Sequence, residues 1–239
     1  MILNKLLERK LKFILNECLP PVLRDNRLMM RFLLNRALKK QGEIFLNFQE
    51  TVTGLSDTEL KHIYEKVMAM EGLSNTDLTE KVLQRIQAGT LGPAVLDVGC
   101  GQGVLAGKLS RNFKVAACDI NIREQVKKRY KNVEFKAADI QKLPYEDNQF
   151  DTVICAHTLE HVLDFNRAVG ELRRVASQRL IIILPKERPY RYNFNLHLHF
   201  FPYRHSVLLG LSLDRTDIRQ KVEEIEGCWY IEEDRTVVI

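Results

Sequence analysis

The 239 residues read as an α/β protein: a doubly wound, mostly parallel sheet with a helical N-terminal extension and a C-terminal antiparallel hairpin. Three observations carry that expectation. Up to residue 90 the apolar positions recur with a helical period. From residue 93 short, continuously apolar, β-branched runs replace them, and helix-length stretches separate those runs. Strands covered by helices on both faces read as such unbroken apolar runs.

The elements follow in order. Ile2, Leu3, Leu6, Leu7, Leu11, Ile14 and Leu15 fall on one face of an opening helix that Pro20-Pro21 stops. Leu28, Met29, Phe32, Leu33 and Ala37 mark a second helix. Ser56 and Glu59 form a capping box that opens a third, with Leu60, Ile63, Val67 and Met70 on its inner face. "SNTDLTEKVLQRIQAG" makes a fourth, ended by Gly89. The strands expected are "AVLDV", "KVAACDI", "VEFKAAD", "FDTVICA" and "RLIIILP", with helices between them at 103–111, 122–130 and 164–176. "VEEIEGCWYIEEDRTVVI" reads as a hairpin that extends the sheet at its edge.

Five cysteines, odd in number and without a Cys-x-x-Cys pair, argue against a disulfide framework and a thiolate zinc site. No apolar run reaches the length of a membrane span, and charges interrupt the N-terminal stretch where a signal-peptide core would lie. The expected compartment is the cytoplasm. Residues 1–50 hold 10 basic and 5 acidic residues, and residues 51–239 hold 26 of each, so the net charge of +5 lies wholly in the first fifth. A basic amphipathic opening suits peripheral contact with an anionic membrane or a nucleic acid. A helical cap with a solvated basic face explains the same charges.

"VLDVGCGQGVLAGKL" places Gly99, Gly101 and Gly103 between the first strand and its helix, where a tight turn lets a ligand approach the backbone. Gly101-x-Gly103-x-x-Ala106 also fits the dinucleotide fingerprint, which leaves a nicotinamide oxidoreductase open. The absence of any Tyr-x-x-x-Lys removes one large dehydrogenase family. Four segments in order are more specific: "LDVGCGQG", the acid-tipped "AACDIN", "AADIQKLPYEDNQFD" and "LEHV". Through them the span from about 93 to 185 resembles the class I S-adenosylmethionine-dependent methyltransferases, especially the branch with a type-11 methyltransferase domain.

That resemblance implies a Rossmann-like fold, S-adenosyl-L-methionine as cofactor, and methyl transfer as the activity. It implies that Asp97 fixes the methionine portion beside Gly99, Gly101 and Gly103. Asp119, with Ile120 next to it, would accept both ribose hydroxyls; a carboxylate suits that diol because it offers acceptors and no donors. Asp139 would meet the adenine amino group, with Ile140 against the ring. The organisation expected is a helical cap over 1–90 and a methyltransferase domain over 91–239, in which 186–220 is an insertion walling the acceptor site. A non-catalytic binding module that keeps the fold remains the other class.

"HTLEH", residues 157–161, spells a zinc-protease string, His-x-x-Glu-His. A protease needs both histidines on one helical turn, whereas His157 lies at a strand exit. Within the methyltransferase reading His157 falls near the sulfonium and the acceptor, and Glu160 and His161 orient the next helix. Some family branches resemble this one in carrying a Glu-x-x-Glu-His metal set here; this chain has His157 in place of the first glutamate. His157, Glu160 and His161 are therefore candidate ligands, and their nitrogen-rich set suits manganese, iron or zinc better than magnesium.

Five of the six histidines, 157, 161, 197, 199 and 205, fall within one window of 49 residues. His157, His161 and His199 are the candidate general bases, since a histidine titrates near ~6.5. "KERPYRYNFNLHLHFFPYRHSVLLGL" interleaves aromatic and basic residues, which fits a sugar ring, a nucleobase or an anionic lipid. "CAHT" stands where base-nitrogen methyltransferases resemble one another in an Asn-Pro-Pro-Tyr motif. The expected acceptor is thus a hydroxyl on a sugar, a lipid-linked glycan or another small molecule, with the 2′-hydroxyl of RNA as the alternative.

Overall fold

The computed structural model describes residues 18, 20–38, 42–68, 76–189, 191–192, 195–211 and 218–235. The opening helix expected at 2–15, Met70, Tyr190 and Phe194 lie outside them. The chain forms two compact units, Met1–Leu73 with Arg188–Leu198, and Ser74–Glu187 with His199–Ile239.

In the first unit α1 (Pro21–Arg24) leads into α2 (Arg27–Leu38), α3 (Gly42–Thr51) and, past a 3-10 turn at Val52–Gly54, α4 (Asp57–Met68). Pro21 sits at the first position of α1, where its missing N–H costs nothing. The capping box of α4 forms as its sequence predicts: Ser56 N donates to Glu59 Oε2 at 2.9 Å and Glu59 N to Ser56 Oγ at 3.4 Å. The core gathers Met30 and Leu34 from α2, Phe45, Leu46 and Phe48 from α3, and Leu60 and Val67 from α4. Tyr192 and Leu196 join it, and Tyr64 Oη donates to the Leu196 carbonyl at 3.0 Å.

The face that α2 buries differs from the set its sequence suggests. Leu28 and Phe32 are 78% and 68% exposed, while Met30 and Leu34 are buried. Apolar residues lie on both sides of this helix, so its period alone does not choose. Helix α3, which the apolar period does not reveal, fixes the choice through Arg31 Nε to Glu43 Oε1 at 2.7 Å and Arg27 Nη2 to Asn47 Oδ1 at 2.6 Å.

The second unit opens with α5 (Glu80–Gly89), whose N-cap Thr79 accepts from Val82 N at 3.3 Å. The expected domain boundary at residue 90 is thereby corrected. Val82, Leu83 and Ile86 of α5 pack in the same apolar cluster as the strand residues Val95, Ile154 and Ile181, so the division falls before residue 74. Residues 188–198, expected within the sheet domain's insertion, group instead with the first unit.

From there β1 (Ala94–Val98), α6 (Val104–Leu109), β2 (Lys114–Asp119), α7 (Glu124–Arg129), β3 (Val133–Ala137) and β4 (Phe150–Ala156) follow. Next come α8 (Phe165–Val175), β5 (Ala176–Pro185), α9 (Arg204–Gly210), β6 (Ile218–Ile225) and β7 (Cys228–Arg235). The sheet order is β3-β2-β1-β4-β5-β7-β6. Strands β1 to β5 are parallel, and β7 runs antiparallel between β5 and β6. Glu226 and Gly227, with φ of 49° and 81°, make the two-residue turn whose twist matches a hairpin.

Alternation along the strands covers both faces. Val153 and Cys155 pack with Ala168 and Leu172 of α8, while Ile154 packs with Ile86 of α5 and Leu105 of α6. The chain leaves β1 toward β2 and β3, then returns to place β4 on the other side of β1. Such a reversal opens a crevice at the carboxyl ends of the two central strands. No helix among the described residues is long and apolar enough to cross a membrane.

Candidate cofactor and active site

The crevice is floored by the loop between β1 and α6. Gly99, Gly101 and Gly103 all hold left-handed backbone, with φ of 74°, 51° and 69°. Gly99 N and Cys100 N both donate to the Cys118 carbonyl, at 2.8 and 3.0 Å, which ties the loop to β2. The three glycines serve different ends. A Cβ on Gly99 would collide with Thr158, and one on Gly103 would press Val126 at 2.9 Å. A Cβ on Gly101 would meet nothing within 4 Å. Space at that position is what the close approach of a cofactor to the backbone requires.

Two carboxylates brace this loop. Asp97, fully buried near the end of β1, accepts from Ala106 N at 3.0 Å. Burial pushes its carboxyl up to about 7; the Ala106 N–H works against that rise, and the charge of Asp119 adds to it. Asp119, the last residue of β2, accepts from Gly101 N at 2.8 Å and from Asn121 N at 3.3 Å. Burial raises its carboxyl as well, and the backbone N–H groups oppose the shift. A carboxylate has about four lone-pair sites, so two N–H bonds leave acceptor capacity for a diol.

Ile120 beside it is 40% exposed, an apolar surface open to a flat ring or a sugar. Ile140 is buried with Leu143 and Cys118 in the core on the α8 side. Asp139 turns back on its own loop, accepting from Gln141 N at 2.8 Å and Gln141 Nε2 at 3.3 Å. The open space at Gly101 and the acceptors of Asp97 and Asp119 fit a cofactor with an ammonium at one end and a ribose at the other.

At the exit of β4 His157 has a φ of 52°, uncommon for a residue with a side chain, and its N–H donates to the Ile183 carbonyl at 3.0 Å. Its Nδ1 lies 3.4 Å from Glu160 Oε1 and its Nε2 3.7 Å from Cys228 Sγ. Burial alone would depress this imidazole; the Cys228 sulfur and the Glu160 carboxylate outweigh it and lift its pKa. A histidine that holds its proton is a poor general base.

Glu160 and His161 belong to a 3-10 turn, Leu159–His161. Glu160 is fully buried, with Oε1 facing the His157 ring. His199 donates its N–H to the Glu160 carbonyl at 3.3 Å, and its Nε2 lies 2.8 Å from the Val162 carbonyl. Only an Nε2–H can bond that oxygen, and in the neutral ring Nδ1 then carries the lone pair. The ring packs against Phe165 with centroids 5.0 Å apart. Sequence patterns do not point to Thr158 behind Gly99, nor to Cys228 as the partner of His157. Neither has a local signal.

A sheet of this order, a glycine loop at its switch point and acids ending β1 and β2 define a class I S-adenosylmethionine-dependent methyltransferase domain. Residues 96–184 match the family described as a methyltransferase domain. An uncharacterized protein of Methanocaldococcus jannaschii is 36% identical over 97 residues, 39% of this chain and 41% of that protein. The 2-phytyl-1,4-naphtoquinone methyltransferase of Trichormus variabilis is 31% identical over 143 residues, 54% of this chain and 61% of the relative. The chain thus spans about half the length of the curated relatives it matches. Among solved structures, a SAM-dependent methyltransferase from Aquifex aeolicus superposes with a TM-score of 0.52 at 26% identity, covering 76% of this chain and all of that one.

Proposed function

We propose that the chain transfers a methyl group from S-adenosyl-L-methionine to a hydroxyl on a small, lipid-bearing acceptor. The observation that carries the reading is the glycine loop at the switch point, braced by Asp97 and Asp119 with open space at Gly101. When bound, the cofactor supplies a methyl group on a positively charged sulfur. Asp97 and Asp119 hold its ammonium and ribose ends, and the left-handed glycines let it lie against the backbone. Positioning of this kind contributes most to the acceleration of an in-line transfer.

His199 is the base this reading favours. Its Nε2–H is engaged by the Val162 carbonyl, which leaves Nδ1 to take the acceptor's proton. His157, occupied at both ring nitrogens, orients the turn that carries Glu160. A lipid-bearing acceptor is supported by the Trichormus variabilis relative, a 2-phytyl-1,4-naphtoquinone methyltransferase. It is supported independently by the first unit, where Val22, Leu28 and Phe32 are exposed among Arg24, Arg31 and Arg36.

The test is calorimetric titration with S-adenosylhomocysteine, followed by transfer of a radiolabelled methyl group to lipid-bearing and water-soluble hydroxyl acceptors. One-site binding with lipid-directed transfer supports the proposal. Absence of binding refutes it, and transfer to a water-soluble glycan or to RNA alone overturns the acceptor class.

A further inference from the structure

We infer that Cys228, His157 and Glu160 form a nucleophilic thiol site, at which Cys228 reacts covalently with small soft electrophiles such as hydrogen peroxide. The proposed methyl transfer does not use this thiol, and the inference does not depend on that reading.

The sheet order creates the cluster. Cys228 opens β7 opposite Pro185, the last residue of β5, while His157 follows the last residue of β4. Because β4, β5 and β7 are successive neighbours in the sheet, residues 71 apart in sequence reach the same edge. The left-handed backbone at His157 swings its ring away from the path that an extended strand would give it.

Sγ of Cys228 then lies 3.7 Å from Nε2, and Oε1 of the buried Glu160 lies 3.4 Å from Nδ1. A nucleophile beside a base, with the base held by a third group, is the arrangement that activates a weak nucleophile. Cys228 is the thiol that an imidazole contacts among the described residues. Burial pushes the thiols of Cys100, Cys118 and Cys155 up, that of Cys118 to about 12, which suits small core residues. Cys228 is 9% exposed, so the electrophile it meets must be small.

Cys228 reacts from the thiolate–imidazolium form of the pair, in which the proton already sits on Nε2, and the sulfur attacks one peroxide oxygen. The S–O bond forms as the O–O bond breaks. The departing hydroxide takes the proton from Nε2 and leaves as water. Sulfur loses two electrons, the peroxide gains two, and Cys228 ends as a sulfenic acid that a dithiol reduces again.

The experiment uses the full chain with two probes: iodoacetamide, with rates followed from pH 6 to pH 8, and hydrogen peroxide with dimedone to trap sulfenic acid. Peptide mass mapping reads each cysteine. An ordinary thiol with a pKa of ~8.5 is only about 3% thiolate at pH 7. An activated Cys228 is expected to react ~10-fold faster than that, since full ionisation offers ~30-fold and weaker nucleophilicity of the paired thiolate takes part of it back. Its rate should be nearly flat with pH and should exceed those of Cys100, Cys118 and Cys155.

His157→Gln should remove the advantage and make the rate climb with pH toward that of an ordinary thiol. Glu160→Gln should slow the reaction by a smaller factor; it decides the matter if the His157 variant does not fold by circular dichroism. Cys228 reacting no faster than the other buried thiols would overturn the inference. So would a rate and pH profile unchanged in both variants. Neither probe needs cofactor or acceptor, so failure here leaves the proposed methyl transfer standing.

Discussion

Asp97 offers a test in which stability and ligand binding move in opposite directions. Its carboxyl is fully buried, accepts one N–H from Ala106, and titrates at about 7 where an ordinary aspartate titrates at 3.8. The folded state therefore holds this proton more tightly than the unfolded chain. The stability the group contributes is complete below pH ~4 and is lost as the pH rises through about 7. A gap of about three powers of ten at ~1.4 kcal/mol each sets an upper bound of ~4 kcal/mol; relaxation of the site brings the expected cost nearer ~2 kcal/mol.

Asp97→Asn keeps the shape and an oxygen for Ala106 N while removing the charge. In urea unfolding followed by circular dichroism, the variant should gain ~2 kcal/mol over the wild type at pH 8 and much less at pH 5. Its affinity for S-adenosylhomocysteine should fall at the same time, because the carboxylate proposed to face the ammonium is gone. A stability difference that stays constant from pH 5 to pH 8, or an asparagine variant weaker at pH 8, refutes the reasoning.

The other predictions rest on the same geometry. Asp119→Ala removes the acceptor for Gly101 N as well as the carboxylate proposed to hold the ribose, and titration calorimetry should show at least ~100-fold weaker binding of S-adenosylhomocysteine, two charge-assisted bonds at ~1.5–3 kcal/mol each. Gly101→Ala meets no neighbouring atom, so thermal unfolding should report only the ~1–2 kcal/mol of a left-handed alanine while cofactor affinity drops. Arg173 donates to both carboxylate oxygens of buried Glu233 at 2.7 Å; Arg173→Met should cost ~3–5 kcal/mol in urea unfolding by leaving that carboxylate without its cation. The chain should co-sediment with anionic vesicles at low salt and lose that binding with Phe32→Asp, whereas equal binding by the variant would remove support for a membrane-borne acceptor.

Much of the fold is written locally. The strand β1, its three glycines and the aspartates that end β1 and β2 lie within one stretch of 26 residues, so a strand–loop–helix–strand unit can be read from turn chemistry and apolar runs alone. The hairpin of β6 and β7 is legible for the same reason, since Glu226-Gly227 supplies the positive φ values that its turn demands. The capping box at Ser56 is equally local, and it forms where its residues place it.

Other features needed the assembled structure. Helix α2 offers Leu28 and Phe32 on one side and Met30 and Leu34 on another, and only the partner supplied by α3 selects the second pair. Helix α3 itself escapes a reading by period because Ile44, Phe45, Leu46 and Phe48 form an apolar cluster rather than a repeating stripe. His157 announces itself as part of a histidine-rich string, yet its chemistry comes from Cys228 across the sheet. By itself, then, the sequence determined the α/β class, the glycine loop and its carboxylates, and the caps, because periodicity and turn chemistry act within a few residues. Tertiary structure alone decided which apolar face is covered and which side chains meet across strands, because burial and strand order couple residues far apart in the chain.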